Sequence, residues 1–173
     1  MQVLSLLRVL ALLLGLFLGM SPAHGPALDQ PRPVAPVLRE GAAREGEIAV
    51  RTLERGQYSG LKEPMVLLVT DPGEWEAVWR RHTAVMARPR PAPAVDFGQE
   101  AVVVVALGER RSGGYSIAVT GVRLKGDQLV VRVRRQSPPP GAVTTMAFTQ
   151  PYHMVAIPRP DRPVSRVVTE EAP

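Results

Sequence analysis

The run VVVVAL, residues 102–107, constrains the fold more than any other part of this 173-residue chain. A strand with one solvated face alternates apolar and polar side chains, whereas this run is apolar throughout. Because a β-strand directs successive side chains to opposite sides, both sides of this strand must be buried. The run therefore predicts a central strand that lies between a helix and another layer of the protein.

Other segments of the chain also have the length and pattern of strands. Gly126 and Asp127 mark a hairpin turn between two of them. Besides residues 102–107, apolar runs, alternation and flanking turn residues predict strands at 48–53, 65–70, 115–119, 128–135, 143–148 and 153–157. The sequence thus predicts about seven strands.

One amphipathic helix is predicted at residues 72–85. Asp71 is a favourable N-cap, Pro72 suits the first helical position, and Glu74 lies where an acidic residue completes a capping box. The residues that follow at i, i+3, i+4 and i+7 form one face: Trp75, Val78, Trp79 and His82. The fold class expected from these elements is α+β and mostly β, a compact antiparallel or mixed β domain with one helix packed on it.

The first 23 residues have the pattern of a signal peptide. Arg8 is their only charged residue, and an apolar run rich in leucine follows it at residues 9–20. Ser21, Pro22 and Ala23 supply small residues for cleavage after Ala23, with cleavage after Gly25 as a second choice. The alternative is an uncleaved anchor helix, for which the apolar run is short. We expect an exported protein, periplasmic or extracellular, that contacts a membrane only if this segment is retained.

The remaining chain divides by composition into a linker, a domain and a tail. Residues 24–46 are rich in proline, alanine and charge without apolar periodicity, which is typical of a disordered linker. The domain is expected at 47–158. Residues 159–173 form a tail in which 164–168 can add an edge strand.

Charge and cysteine content argue against a nucleic-acid-binding protein and against a fold stabilised by disulfides. Loss of residues 1–23 would remove one arginine and no acid, which lowers the formal net charge of +5 by one. That excess is too small and too dispersed for a nucleic-acid-binding protein. Because the chain has no cysteine, its core must be stable without disulfides.

The sequence contains no pattern that indicates catalysis or metal binding. His82 and His153 could each be a metal ligand, but no H-E-x-x-H motif or nearby carboxylate pair accompanies them. Ser112 or Ser116, with one of these histidines and Asp96, supplies the residue types of a catalytic triad, but no G-x-S-x-G elbow is present. We therefore predict no catalytic residue, no metal site and no cofactor.

One glycine-rich bend is the candidate interaction loop. An exposed Gly-Gly loop that carries an aromatic residue can enter the groove of a partner, whereas the structural interpretation is a tight β connection whose tyrosine packs inward. The residues of this loop are Arg110, Arg111, Ser112, Gly113, Gly114 and Tyr115.

An ordered series of motifs across the chain resembles the C-terminal domain of the PrcB family, named for the protease complex subunit PrcB. The series begins with Ser59 and Gly60 and continues with EWEAVWRRH at 74–82 and PAVDF at 93–97. It then runs through the valine-rich strand that ends before Gly108, SGGYSI at 112–117, a P-x-x-G turn at 138–141 and TQPYHMVAIP at 149–158. The resemblance implies an accessory, non-catalytic subunit of a secreted subtilisin-like protease complex, and it assigns no catalytic residues.

These observations together predict an exported, non-catalytic protein-interaction domain, an accessory or chaperone-like partner of a secreted protease. The alternative is a protease inhibitor that uses the loop Ser112-Gly113-Gly114-Tyr115. A hydrolase or metal-dependent enzyme is the least favoured class. The partner and the oligomeric state stay open.

Overall fold

In the part of the chain that the structure describes, eight strands form two four-stranded sheets, and one helix covers the second sheet. The computed structural model describes residues 46–172. In chain order the elements are β1 (Glu47–Ile48), β2 (Arg51–Gly56), β3 (Pro64–Val69), α1 (Pro72–Thr83), β4 (Glu100–Leu107), β5 (Ser116–Lys125), β6 (Gln128–Gln136), β7 (Tyr152–Pro158) and β8 (Arg166–Glu171). The first sheet has the order β1-β5-β6-β8 and the second has the order β2-β7-β4-β3. Neighbouring strands are antiparallel except for β6 and β8, which are parallel. The α+β, mostly β class is confirmed.

Strand β4 is buried on both faces, as its valine run predicts. Val103 and Val105 pack in the core between the two sheets, with residues of β5, β6 and β7. Val102 and Val104 point the other way, into a second core beneath α1. An all-apolar strand is stable here because the second sheet is the middle of three layers.

Helix α1 begins at its predicted cap. The Asp71 side chain accepts a hydrogen bond of 3.0 Å from the Glu74 N–H, and Pro72 occupies the first helical position. The helix ends at Thr83, two residues before the predicted bound.

The tryptophans of α1 pack inward and anchor the proline-rich segment that follows the helix. Trp75 and Trp79 are almost fully buried, and their ring centroids are 5.4 Å apart. Trp75 Nε1 donates to the carbonyl of Pro93 at 3.1 Å, and Trp79 Nε1 donates to that of Arg90 at 2.7 Å. Prolines cannot donate backbone hydrogen bonds, but their segment supplies the acceptors that these buried indoles need.

Four predicted strands differ from those observed. The strand expected at 115–119 is longer and runs as Ser116–Lys125. The strand expected at 48–53 is divided, because the chain leaves one sheet after Ile48 and enters the other at Arg51. The strand predicted at 143–148 is wrong: these residues form an irregular loop. The tail does contain the expected edge strand, which runs as Arg166–Glu171 beside β6.

Two predictions fall beyond the part of the chain that the structure describes. The signal peptide at 1–23 and residues 24–45 of the linker lie outside it. Within residues 46–172, no helix is both long and apolar enough to cross a membrane.

Candidate functional site: a pair of loops at one end of the sandwich

The predicted interaction loop is bound to the irregular segment that precedes β7. Arg110 and Thr149 exchange backbone hydrogen bonds of 2.7 and 2.9 Å. The Gly113 N–H donates to the carbonyl of Thr145 at 3.0 Å, and the Thr149 hydroxyl donates to the carbonyl of Ser112 at 2.9 Å. Residues 110–115 and 142–149 therefore form one unit, which we call the loop-pair surface.

The two glycines of this loop have different structural roles. Gly114 has a φ of 87°, a conformation that L side chains rarely adopt. Gly113 does not have positive φ, but it is buried, and a β-carbon there would collide with the hydroxyl of Thr145. The sequence Gly113-Gly114 is thus explained by one left-handed residue and one close backbone approach, which favours the structural interpretation of these two positions.

The arginines and the tyrosine of the loop are unequally exposed. The Arg110 guanidinium lies 5.6 Å from the Tyr115 ring centroid, and its Nη2 donates to the carbonyl of Leu107 at 3.0 Å. Arg110 and Tyr115 are both partly buried, whereas Arg111 and Gly114 are exposed. Of the six predicted residues, Arg111 and Gly114 are therefore the best placed to contact a partner.

The most exposed apolar residues lie in the other half of the loop-pair surface. Val143, Met146 and Phe148 have relative exposures of 102%, 100% and 60%. Single exposed apolar side chains are ordinary, but three large ones within six residues are typical of an interaction site. The strand predicted for this segment gave no reason to expect their exposure. The sequence of residues 143–148, VTTMAF, lacks the alternation of apolar and polar residues that a strand with one solvated face shows, and this could have indicated a loop.

A second group of polar side chains is buried beneath α1. His82 is fully buried, with Nδ1 2.9 Å from Ser59 Oγ and Nε2 3.6 Å from Glu54 Oε2. The Tyr152 hydroxyl donates to Glu54 Oε1 at 2.9 Å, and Arg90 forms an ion pair with the same carboxylate. Burial lowers the pKa of His82 against the opposing effect of Glu54. Burial, together with the Glu54 carboxylate, raises the pKa of the Tyr152 hydroxyl.

Ser59, His82 and Glu54 are the residue types of a hydrolytic triad, but their arrangement is structural. A nucleophile must reach a substrate, and Ser59 is fully buried. Its oxygen also accepts a hydrogen bond of 3.1 Å from the Leu61 N–H. The sequence did not reveal this cluster, because its members come from β2, a loop and α1 and meet only after folding.

The second histidine joins the two sheets. His153 of β7 accepts a hydrogen bond of 2.8 Å at Nδ1 from the Val119 N–H of β5, and its Nε2 lies 3.0 Å from the Thr52 hydroxyl. Since Nδ1 is an acceptor, the proton of the neutral ring is on Nε2. Burial, with a smaller contribution from the Arg55 guanidinium, lowers the pKa of His153 to about 4.

The other triad candidates form hydrogen bonds to groups other than the histidines. Ser112 Oγ donates to the carbonyl of Gly113, Ser116 Oγ donates to Gln136, and Asp96 Oδ1 accepts from the Gly98 N–H. Among residues 46–172, no three histidine or carboxylate side chains converge in a way that could hold a metal ion.

Comparison with known proteins supports the family resemblance. A protein-family model described as PrcB C-terminal matches residues 101–169, which extend from β4 into β8. The match includes the whole loop-pair surface. The resemblance noted between Ser59 and Phe97 lies outside the matched range. No curated protein and no solved structure matches this chain.

Proposed function

From the premise that residues 101–169 are a PrcB C-terminal domain, we propose that this chain is an exported, non-catalytic interaction module of a protease-associated complex. Its partner contact is the loop-pair surface, and its partner is an extracellular protease or a protein bound to one. The module acts as an accessory or chaperone-like subunit.

The exposure of Val143, Met146 and Phe148 is the observation that carries this proposal. A chain gains free energy by burying apolar side chains, at roughly 25 cal/mol per Å² of apolar surface removed from water. These three lie on a loop whose backbone is bound at Thr145 and Thr149 to the neighbouring loop. Because the backbone is already ordered, a partner can bury them at a small cost in conformational entropy.

The charge beside these apolar residues indicates the kind of surface that fits. Arg111 is exposed at the rim, and Arg110 is half-buried behind it. A protein partner with an apolar depression and an acidic border would match both the apolar residues and the arginines.

The proposed contact predicts a position-specific cross-link. A photoreactive phenylalanine derivative at Met146, introduced in the organism that makes this chain, should give a discrete adduct after irradiation of the exported fraction. Mass spectrometry of the adduct should identify a protease or a protein of its complex. The same derivative at Val85, an exposed residue after α1, is the matched control and should give no such adduct.

Equal labelling at Met146 and Val85 would contradict the assignment of the loop-pair surface.

The activity of the captured protease distinguishes an accessory subunit from a protease inhibitor, the alternative that the sequence left open. Unchanged or raised protease activity on adding the purified protein supports an accessory subunit. Loss of activity supports an inhibitor that acts through Ser112-Gly113-Gly114-Tyr115.

Export makes a separate prediction about the N-terminus. Cleavage within the small residues that follow the apolar run should leave a mature chain that begins at His24 or Pro26. N-terminal sequencing of the protein from culture medium and from periplasm tests this. An intact Met1 in the membrane fraction would show that the segment is retained as an anchor.

A further inference from the structure

Strand β3 is an edge strand whose outer side has no backbone partner among residues 46–172. It is the last strand of its sheet and pairs only with β4. No hydrogen bond from another segment in that range reaches the backbone of residues 65–69. Alternate N–H and C=O groups of β3 therefore point away from β4 with nothing to satisfy them except solvent.

The other three edge strands carry features that oppose pairing with a further chain, whereas the only such residue in β3 is Pro64 at its start. Strand β1 has only two residues, while β2 and β8 contain charged side chains. The sequence of β3, PMVLLV, has no charge, and its residues 65–68 are half-buried. An apolar, uncharged edge strand is the usual site at which a second polypeptide adds to a sheet.

A groove runs along this edge. The segment between β7 and β8 passes beside β3, and the cavity between them has a volume of about 630 Å³. Its walls are residues 66–68 and Thr70 on one side and residues 159–167 on the other. That volume is within the range of sites that hold drug-sized ligands.

The wall opposite β3 is positively charged. It contributes Arg159, Arg162 and Arg166 against a single acid, Asp161. Arg162 Nε lies 3.8 Å from Asp161 Oδ1, and Arg159 donates to the carbonyls of Thr70 and Phe97. The groove thus combines an apolar edge that can form backbone hydrogen bonds with an excess of positive charge.

We propose that β3 binds an extended, acidic segment of a partner protein as an additional strand of the second sheet. The partner backbone pairs with the outer side of residues 65–69, and its carboxylates face Arg162 and Arg166. This site shares no residue with the loop-pair surface, and the experiments below test it independently of the function proposed for that surface.

Two other occupants fit the groove less well. A second copy that paired its own β3 with this edge would offer the sequence PMVLLV, which has no acidic residue to face Arg162 and Arg166. The chain's own residues 24–36 contain Pro26, Pro31, Pro33 and Pro36, and proline has no N–H with which to pair.

Hydrogen exchange of the purified full chain tests the proposal directly. The probe is a ten-residue peptide of alternating valine and threonine with two acidic residues at each end. Saturating peptide should slow exchange at alternate amides within residues 65–69 and leave those of residues 142–148 unchanged. A peptide with lysines in place of the acids should bind more weakly, by about tenfold.

A charge-reversed variant gives a second readout. Arg162→Glu combined with Arg166→Glu should weaken binding of the acidic peptide by about tenfold at low salt. The matched control combines Arg88→Glu with Arg134→Glu, two exposed arginines outside the groove that change the net charge equally. This control should retain the affinity within about twofold.

Each remaining outcome overturns the proposal. Protection of residues 65–69 that rises with protein concentration and needs no peptide would assign the edge to a second copy. Protection of residues 65–69 that is already present in the dilute protein without peptide would mean that the chain's own residues 24–45 occupy the edge of β3. Equal affinity of the two charge-reversed variants, or no protection with either peptide, would show that the edge does not recognise an acidic strand.

Discussion

Trp79→Ala is expected to lower the free energy of unfolding by about 3–5 kcal/mol, the range found when a buried aromatic residue is replaced by alanine. Trp79 is 4% exposed and packs against Trp75 and His82, with ring centroids 5.4 and 5.0 Å away. The substitution would leave a cavity and would remove the hydrogen bond to the carbonyl of Arg90. Urea denaturation followed by circular dichroism measures the loss.

Val85→Ala is the matched control for this prediction. Val85 follows the same helix but is half-exposed, so its truncation should change the free energy of unfolding by no more than about 0.5 kcal/mol. A Trp79→Ala variant as stable as the wild type, with loss only of partner binding, would instead make Trp79 part of a recognition surface.

Acid is expected to destabilise the protein through His153 well before most carboxylates are protonated. The ordinary pKa of histidine, about 6.5, applies to the unfolded chain, whereas burial lowers the pKa of His153 to about 4 in the folded state. Between these values the unfolded chain binds a proton that the folded chain does not, so stability falls as the pH falls. The pKa difference corresponds to about 3 kcal/mol. His82, whose pKa is also lowered by burial, adds a loss in the same direction.

Urea midpoints measured between pH 7 and pH 4 test this dependence, with His153→Gln as the comparison. The variant removes one titrating group, so its stability should fall less steeply than that of the wild type across the interval. Carboxylates such as Glu100 and Glu170, whose pKa values are lowered by arginines, titrate in both proteins. Their contributions therefore cancel when the pH dependence of the variant's stability is subtracted from that of the wild type. Identical slopes would show that the pKa of His153 is not lowered in the folded state.

The parts of the fold that depend on local sequence could be predicted. Asp71 and Pro72 mark the start of the helix by capping chemistry, and the spacing of Trp75 and Trp79 identifies its buried face. The valine run of β4 indicates burial on both sides. None of these signals requires knowledge of a distant residue, because each follows from hydrogen bonding or periodicity within a few positions.

The parts that depend on distant pairing could not be predicted. Residues 143–148 contain β-forming side chains, but the backbone hydrogen bonds of the segment 143–149 go to Gly113 and Arg110 of the neighbouring loop and not to a strand. Ser59 and His82 are ordinary polar residues in the sequence, and their contact depends on how α1 packs. The loop at 110–115 was correctly identified as a bend, but its hydrogen bonds to residues 145–149 depend on the approach of a segment from later in the chain.

The position of β7 between β2 and β4 determines when this protein can fold. Thr52 of β2 and His153 of β7 are 101 residues apart in sequence and touch in the structure. Among the described residues strand β2 has no other neighbour in its sheet, so it stays unpaired until β7 is available. Contacts of such separation slow folding, because the entropy of closing the intervening loop is lost before the contact forms. A nascent chain that ends before residue 152 therefore lacks the strand that joins β2 to β4 and β3, and cooperative folding of the second sheet must wait until β7 has been synthesised.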